Sequence, residues 1–230
     1  TKTVEQVYDN GNGGKDTLIG IEQIKGSNYA DTFIGSMSND TIYGGLGNDP
    51  FRGLGGDDTF YGEGGDDLFI SSYNDGNNTY YGGTTAEVNG DTVDYSGITN
   101  NQYKVIGDLS NSTISVYNSD ATPVLQKTDT IHDIENLTGG SGDDTLTGNA
   151  SKNTIKGGDG NDTIYVTAGA DRLFGEGGDD TIIIQSGVDG VGTVIDGGTA
   201  SQTTGDTIDY SALTDKVSLR LMGSSYSSVT

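Results

Sequence analysis

The stretch GGLGNDPFRGLGGDDTFYGEGGDDLFI, residues 44–70, consists of three consecutive nine-residue units. Each unit has Gly at its first and fourth positions, Asp at its sixth position and Phe at its eighth position. The glycines allow a sharp turn without Cβ strain, and a single apolar residue between two others is typical of a short strand. Each unit is therefore predicted to be a turn followed by a very short strand.

A unit this short cannot bury its apolar side chain alone, so neighbouring units are predicted to stack into a solenoid. Two units make one coil, which places turns eighteen residues apart above one another. Asp49 then lies above Asp67 on one edge, and Asp40 lies above Asp58 on the other. The predicted inner column consists of Phe33, Ile42, Phe51, Phe60 and Phe69, followed later by Leu146, Ile155, Ile164, Leu173 and Ile182.

Carboxylates stacked about one strand spacing apart, roughly 5 Å, repel one another unless a cation lies between them. The other polar groups of such turns are backbone carbonyls, which are hard oxygen ligands. Oxygen ligands without nearby His or Cys favour Ca²⁺ over transition metals, and flexible geometry favours it over Mg²⁺. Calcium is therefore the predicted cofactor, with about five strong sites from complete aspartate pairs and further weaker ones.

The units resemble the GGxGxDxUx nonapeptides of repeats-in-toxin (RTX) proteins, the calcium-binding parallel β-rolls of bacterial proteins exported by type I secretion. The resemblance implies an all-β fold and an ion between turns eighteen residues apart. Each ion would be held by both sixth-position aspartates, by carbonyls of the second and fourth positions of the earlier turn, and by carbonyls of the first and third positions of the later turn.

The aspartate ligands implied in this way are Asp31, Asp40, Asp49, Asp58, Asp67, Asp144, Asp162, Asp171, Asp180 and Asp189. The implied carbonyl ligands belong to Ser27, Tyr29, Ser36, Ser38, Gly44, Gly45, Leu46, Gly47, Gly53, Gly55, Gly62, Gly64, Gly140, Gly142, Gly157, Gly158, Asp159, Gly160, Gly175 and Gly177.

The completeness of each aspartate pair predicts which sites are strong. The complete pairs are Asp31 with Asp49, Asp49 with Asp67, Asp40 with Asp58, Asp144 with Asp162, and Asp162 with Asp180. Asn153 replaces an aspartate opposite Asp171, and a pair of Asp171 with Asp189 completes that edge. We therefore expect one edge of the second roll to fill with calcium before the other.

The chain reads as a tandem of two similar modules. Asp49 matches Asp162 at a distance of 113 residues, and GDTVDYS at 90–96 matches GDTIDYS at 205–211. The fold is predicted to be two right-handed parallel β-rolls joined by a small hairpin or sheet insert. The predicted division is a capping segment at 1–25, a first roll at 26–94, an insert at 95–128, a second roll at 129–211 and a truncated second insert at 212–230.

Composition narrows the function classes. The 230 residues include 39 glycines and no cysteine, and carry a formal net charge of -23. An acidic chain repels nucleic acid and anionic membranes, and no apolar run reaches transmembrane length. The same composition would suit a disordered acidic linker, but the fixed period argues against this when calcium is present. We expect the chain to be part of a longer protein with neighbouring domains.

No catalytic constellation accompanies the repeats, so we expect no enzyme. His132 is the only histidine, and DTIHDIENL around it is better interpreted as a strand. Tyr73, Tyr80 and Tyr81 form an aromatic cluster that we interpret as a solenoid cap rather than a glycan-binding face.

The fifth-position residues are expected to point to solvent and to add negative field. They are Asp57, Asp66, Asp143 and Asp179.

The predicted function is a calcium-binding structural module that folds after export, within a secreted or cell-surface bacterial adhesin whose ligand the sequence does not identify. The alternative is the C-terminal secretion and folding region of an RTX toxin or secreted hydrolase. An ice-binding roll is disfavoured, because the third positions of the turns carry no row of Thr.

Overall fold

A computed structural model describes residues 3–6, 16–19, 21, 23–185, 192–198 and 202–214. Every regular element in these ranges is a β-strand, as predicted. Part of the predicted capping segment, Asp189 and most of the second insert, 215–230, lie outside the described residues. Where the chain is described, it contains no helical segment with the length and hydropathy that a bilayer-spanning helix requires.

Two long sheets form the walls of a solenoid. The first sheet has eight strands, in the spatial order β20 (Val194–Asp196), β18 (Arg172–Gly177), β16 (Thr154–Asp159), β14 (Asn136–Thr138), β10 (Thr92–Asp94), β8 (Leu68–Ile70), β6 (Pro50–Arg52) and β4 (Phe33–Ile34). The second sheet has eleven strands, in the order β21 (Thr207–Asp209), β19 (Thr181–Ile184), β17 (Thr163–Val166), β15 (Thr145–Thr147), β11 (Tyr103–Asp108), β12 (Thr113–Asn118), β13 (Leu125–His132), β9 (Thr79–Thr85), β7 (Thr59–Gly64), β5 (Thr41–Leu46) and β3 (Gln23–Lys25).

The coil length follows from the strand register. Phe33 pairs with Phe51, and Phe51 pairs with Phe69, in parallel strands of the first sheet. These pairs are eighteen residues apart, so the predicted two-unit coil is confirmed. Ahead of the solenoid, β1 (Thr3–Gln6) and β2 (Asp16–Ile19) form an antiparallel pair.

The core contains the predicted apolar side chains, which come from both sheets, together with residues of the joint and the insert such as Val93 and Ile114. All ten predicted column residues are at most 2% exposed. The rings of the first roll stack along the solenoid axis, with centroids 5.0 Å apart for Phe33 and Phe51 and for Phe51 and Phe69. One buried side chain per turn is enough because each packs against those of the adjacent coils.

The predicted insert forms an antiparallel meander of β11, β12 and the first half of β13. The last part of β13 then pairs in parallel with β9, while β11 pairs in parallel with β15. His132 ends β13 and β14 begins at Asn136, so the strand predicted for DTIHDIENL is interrupted at residues 133–135. The insert is thus built into the second sheet.

The two predicted rolls are stacked directly on one another. Strand β10 pairs in parallel with β8 on one side and with β14 on the other. The first sheet is therefore continuous across the joint, although 41 residues of the chain, 95–135, separate β10 from β14. The division of the chain into five segments stays a prediction.

Matching strands of the two modules lie in opposite sheets. The strand after Asp49 is β6, in the first sheet, whereas the strand after Asp162 is β17, in the second sheet. The reversal arises because all three strands of the insert join the second sheet, so that the chain leaves the first sheet at β10 and returns to it at β14. The second module is consequently displaced by half a coil.

Candidate metal-binding edges

The sixth-position residues form a hydrogen-bonded ladder along each edge of the solenoid. The backbone N–H of Asp31 donates to Oδ1 of Asp49 at 2.7 Å, and that of Asp49 donates to Oδ1 of Asp67 at 2.8 Å. The same bond joins Asp144 to Asp162 at 2.8 Å. One carboxylate oxygen of each aspartate therefore supports the backbone of the preceding coil, a role that the sequence reasoning missed although its eighteen-residue spacing was visible.

Among the described residues, the second carboxylate oxygen of most of these aspartates has no hydrogen-bond partner. These oxygens are buried and accept no hydrogen bond; within the repeats they are Oδ2 of Asp49, Asp58, Asp67, Asp162 and Asp180. All five residues are at most 2% exposed. A buried carboxylate oxygen without a donor is unfavourable, so this arrangement requires a cation or a proton.

Backbone conformation at the second position decides which aspartates are in this state. We call a turn open when its second residue has a positive φ. Open turns have Gly45 (φ 109°), Leu54 (φ 78°), Glu63 (φ 72°), Gly158 (φ 112°) or Glu176 (φ 73°) at this position. Each of these turns contains one of the five unpartnered aspartates.

Closed turns, whose second residue does not have a positive φ, satisfy the aspartate locally. Ser27 N–H donates to Oδ2 of Asp31 at 2.6 Å, and Gly140 N–H donates to Oδ2 of Asp144 at 2.6 Å. Ser36 closes its turn onto Asp40 in the same way. Serine at the second position has no positive φ in these turns and therefore causes no backbone strain.

The first-position glycines of open turns are required for space. A Cβ added to Gly44 would lie 2.8 Å from the carbonyl oxygen of Gly62 and would also overlap Oδ2 of Asp49. A Cβ on Gly157 would meet the carbonyl of Gly175 and Oδ2 of Asp162 in the same way. An aspartate oxygen and a carbonyl of the next coil thus converge beside each of these glycines, and this oxygen pair fits a hard cation.

Several implied carbonyl ligands also accept hydrogen bonds between coils. The carbonyl of Ser27 accepts from Leu46 N–H at 3.0 Å, and that of Gly64 accepts from Gly47 N–H at 2.7 Å. In the second roll, the carbonyl of Gly177 accepts from Gly160 N–H at 2.7 Å. A carbonyl oxygen has two lone pairs, so these groups keep one for a cation.

Burial makes ionisation of the ladder aspartates unfavourable in the absence of a cation. It raises the pKa of Asp49 to about 6 and the pKa of Asp58 and Asp67 to about 7. It raises the pKa of Asp162 to about 8, and repulsion from Asp144 adds to this shift. Backbone N–H donors oppose these shifts but do not cancel them.

The fifth-position residues do more than point to solvent. Oδ1 of Asp143 accepts from Asn161 N–H at 2.8 Å, and Oδ1 of Asp57 accepts from Asn77 N–H at 2.8 Å. Both aspartates are exposed, but their side chains hold the next turn in register. The expectation of a purely long-range electrostatic role was wrong.

The turn of Asn153 has an amide, which is both a donor and an acceptor, at the sixth position, where most other turns have an aspartate. Its Nδ2 donates to the Glu135 carbonyl at 2.8 Å, and its Oδ1 accepts from Asn149 N–H at 2.8 Å. Further along this edge, the residue in register with Asp171 is Thr193, since Arg172 pairs with Val194. The strand register thus pairs Asp171 with Thr193 instead of Asp189.

We call the edge whose aspartates precede strands of the first sheet the first edge, and the edge whose aspartates precede strands of the second sheet the second edge. A buried lysine lies on the second edge near the joint of the two rolls, and it was not predicted from the sequence. Nζ of Lys127 contacts Oδ1 of Asp75, Oδ2 of Asp129 at 2.9 Å and Oγ of Ser71 at 2.9 Å. The Tyr95 hydroxyl also donates to Oδ2 of Asp129. The pairing spans 52 residues between Asp75 and Lys127, so no local pattern indicates it.

The three clustered tyrosines of the sequence separate in the fold. Tyr80 is buried and stacks on Phe60, with ring centroids 5.8 Å apart. Tyr73 stacks on Tyr103 of the insert, whereas Tyr81 belongs to an outer stack that includes His132 at 4.5 Å. The three tyrosines therefore form neither a single cap nor a single glycan-binding face.

Comparison with known families agrees with this geometry. The family described as the RTX calcium-binding nonapeptide repeat matches the chain in four copies, at residues 19–49, 47–71, 133–164 and 156–191. No curated protein matches the chain. The matched copies cover most of both stacked rolls and leave out residues 1–18, 72–132 and 192–230. The matched segments of both rolls therefore consist of RTX calcium-binding nonapeptide repeats.

Proposed function

We propose that the chain is a non-catalytic module that folds when its open turns bind calcium. The observation that carries the proposal is the row of buried aspartate Oδ2 atoms without a protein donor. The implied ligands are these atoms together with the first- to fourth-position carbonyls of adjacent turns. Calcium would supply the positive charge that these oxygens lack.

A calcium concentration difference would make this folding conditional on location. Extracellular calcium modules bind at roughly 10⁻⁴ to 10⁻³ M, far above the calcium level inside cells. The chain would stay unfolded before export and fold outside the cell. The match to RTX repeats supports a secreted or cell-surface location.

We assign the module to a bacterial adhesin. Support comes from the tandem arrangement, in which two rolls share both sheets and lengthen one solenoid without any catalytic constellation among the described residues. A secretion and folding region of a toxin or hydrolase is the alternative. An adjacent catalytic or acylated domain in the full-length gene product would favour that alternative.

Circular dichroism with calcium titrated from zero to millimolar tests the calcium dependence. We expect a cooperative gain of β signal with calcium and little gain with equal Mg²⁺, because Mg²⁺ demands stricter octahedral geometry. A chain that has its full β signal in excess chelator would contradict the proposal.

A further inference from the structure

Three carboxylates from three parts of the chain converge at the joint of the two rolls. Glu87 lies in the loop between β9 and β10, Asp91 directly precedes β10, and Glu135 directly precedes β14. One carboxylate oxygen of each lies within 4.8 Å of the others. Glu87 and Asp91 are outside the residues that match the RTX repeat.

Specific hydrogen bonds hold these side chains in place. Oδ1 of Asp66 accepts from the N–H groups of Val88, Asn89 and Gly90 at 2.7, 3.0 and 3.1 Å, which fixes the loop that carries Glu87. Oε2 of Glu135 accepts from Asp91 N–H at 2.9 Å, so the glutamate continues the ladder across the joint.

The cluster contains buried oxygens without a donor. Asp91 is fully buried; its Oδ1 accepts from Asp67 N–H at 2.7 Å, but its Oδ2 has no partner. Oε1 of Glu87 is also buried and unpartnered. None of the ion pairs found among the described residues involves the three carboxylates.

The second module offers an internal comparison. Gln202 and Asp206 lie 115 residues after Glu87 and Asp91, in a loop held by Asp179 as the first loop is held by Asp66. Nε2 of Gln202 donates to Oδ2 of Asp206 at 2.5 Å. The second module thus satisfies this oxygen with an amide donor, whereas an ionised Glu87 has no proton to donate to Asp91.

We propose that Glu87, Asp91 and Glu135 bind a calcium ion that joins the two rolls. The three ligands are hard oxygen donors of high negative charge, which suits Ca²⁺. A fourth oxygen is at hand, since a Cβ added to Gly82 would overlap both Oδ2 of Asp91 and the carbonyl of Asp133. The site differs from those of the repeats because one ligand comes from a loop outside the nonapeptide period and two ligands are glutamates.

Glu87→Gln tests the site, because it copies the residue that the second module has at this position. At saturating calcium, we expect Glu87→Gln to bind one ion fewer per chain than the unchanged protein, measured by equilibrium dialysis with metal analysis. Amide exchange of β10 and β14 should become faster, on the order of tenfold when calcium is about ten times the Kd of the lost site.

Asp120→Asn is the matched control, since Asp120 is an exposed carboxylate on a hairpin turn of the insert. It removes the same charge and should change neither the ion count nor the exchange of β10 and β14. Glu135→Gln is a second variant that should also lose one ion.

An unchanged ion count in both Glu87→Gln and Glu135→Gln would overturn the junction site. If these variants still gain β signal with calcium, the proposed function stands and only the junction site fails. If the unchanged protein binds no calcium at all, both proposals fail.

Discussion

At the joint between the rolls, the two edges of the solenoid compensate a buried aspartate in different ways. Asp91 on the first edge and Asp129 on the second edge both use Oδ1 to accept a backbone N–H of the preceding coil, at 2.7 Å in each case. Oδ2 of Asp129 contacts the Lys127 ammonium, whereas Oδ2 of Asp91 has no donor and faces two further carboxylates. One edge has its own cation, and the other needs a proton or a cation from solution.

The difference shows how an RTX solenoid can vary its calcium requirement coil by coil. Lys127 is 3% exposed and contacts two carboxylates, so its ammonium supplies there the positive charge that we propose calcium supplies in the open turns. Asn153 and Gln202 supply uncharged amide donors instead. Nδ2 of Asn153 donates to the Glu135 carbonyl, and Nε2 of Gln202 donates to the Asp206 carboxylate. We infer that coils with nitrogen donors stay folded without calcium and that coils with only carboxylates do not.

The largest effect is expected from pH in calcium-free buffer, because several carboxylates titrate together. Folded Asp91 and Asp162 have a pKa raised by burial to about 8, against an ordinary value of 3.8. Their protonated forms stabilise the fold below about pH 4, and this stabilisation is lost as pH rises towards 8. In chelator, we expect the β signal in circular dichroism to increase when the pH is lowered from 8 to about 5.

Amide exchange in the same experiment sharpens the comparison of the two edges. The N–H of Asp67, which donates to Asp91, should gain more protection on acidification than the N–H of Asn78, which donates to Asp129 beside Lys127. Equal gains at both positions, or a β signal that falls with acidification, would contradict the interpretation.

Lys127→Met should give the next largest effect. It leaves Asp75 and Asp129 buried without their cation, and breaking such a pair typically costs about 3–5 kcal/mol. Urea unfolding at saturating calcium measures the loss. Lys152→Met, at an exposed lysine, is the control and should stay within about 0.5 kcal/mol of the unchanged protein.

A loss in Lys127→Met that matches the control would show that the buried ammonium is dispensable.

Asp58→Asn and Asp40→Asn should give smaller effects that separate open from closed turns. Asp58 has an unpartnered Oδ2, whereas Oδ2 of Asp40 accepts from Ser36 N–H at 2.7 Å. Losing an ion ligand at Asp58 should cost about 1.4 kcal/mol more for each tenfold rise in calcium above Kd. Asn at position 40 can still accept from Ser36 N–H through Oδ1, as Asn153 accepts from Asn149 N–H, so Asp40→Asn should cost no more than about 1 kcal/mol at every calcium concentration.

Urea unfolding at about 1 and about 10 mM calcium distinguishes the two responses. The same calcium dependence in both variants would mean that open and closed turns bind ions alike.

Much of the repeat region could be predicted from the sequence. The nonapeptide period placed Phe51 above Phe33 and Asp67 above Asp49, and the strand register agrees. Local chemistry is sufficient there because each coil contacts only its neighbours, eighteen residues away. The conformation of the turns was less predictable: Leu54 and Glu63 adopt a positive φ in open turns, whereas Gly140 closes its turn without one.

The sequence by itself determined the coil length, the apolar column, the preference for calcium and the positions of the ladder aspartates, because all of these depend on a short repeat and on side-chain chemistry. Only the tertiary structure decided how the rolls meet. The insert returns the chain to the first sheet at β14, which exchanges the edges of the second module and brings Lys127 to Asp75 and Glu135 to Asp91. These partners are 52 and 44 residues apart. The nine-residue repeat relates only neighbouring coils, so it does not predict that these residues meet.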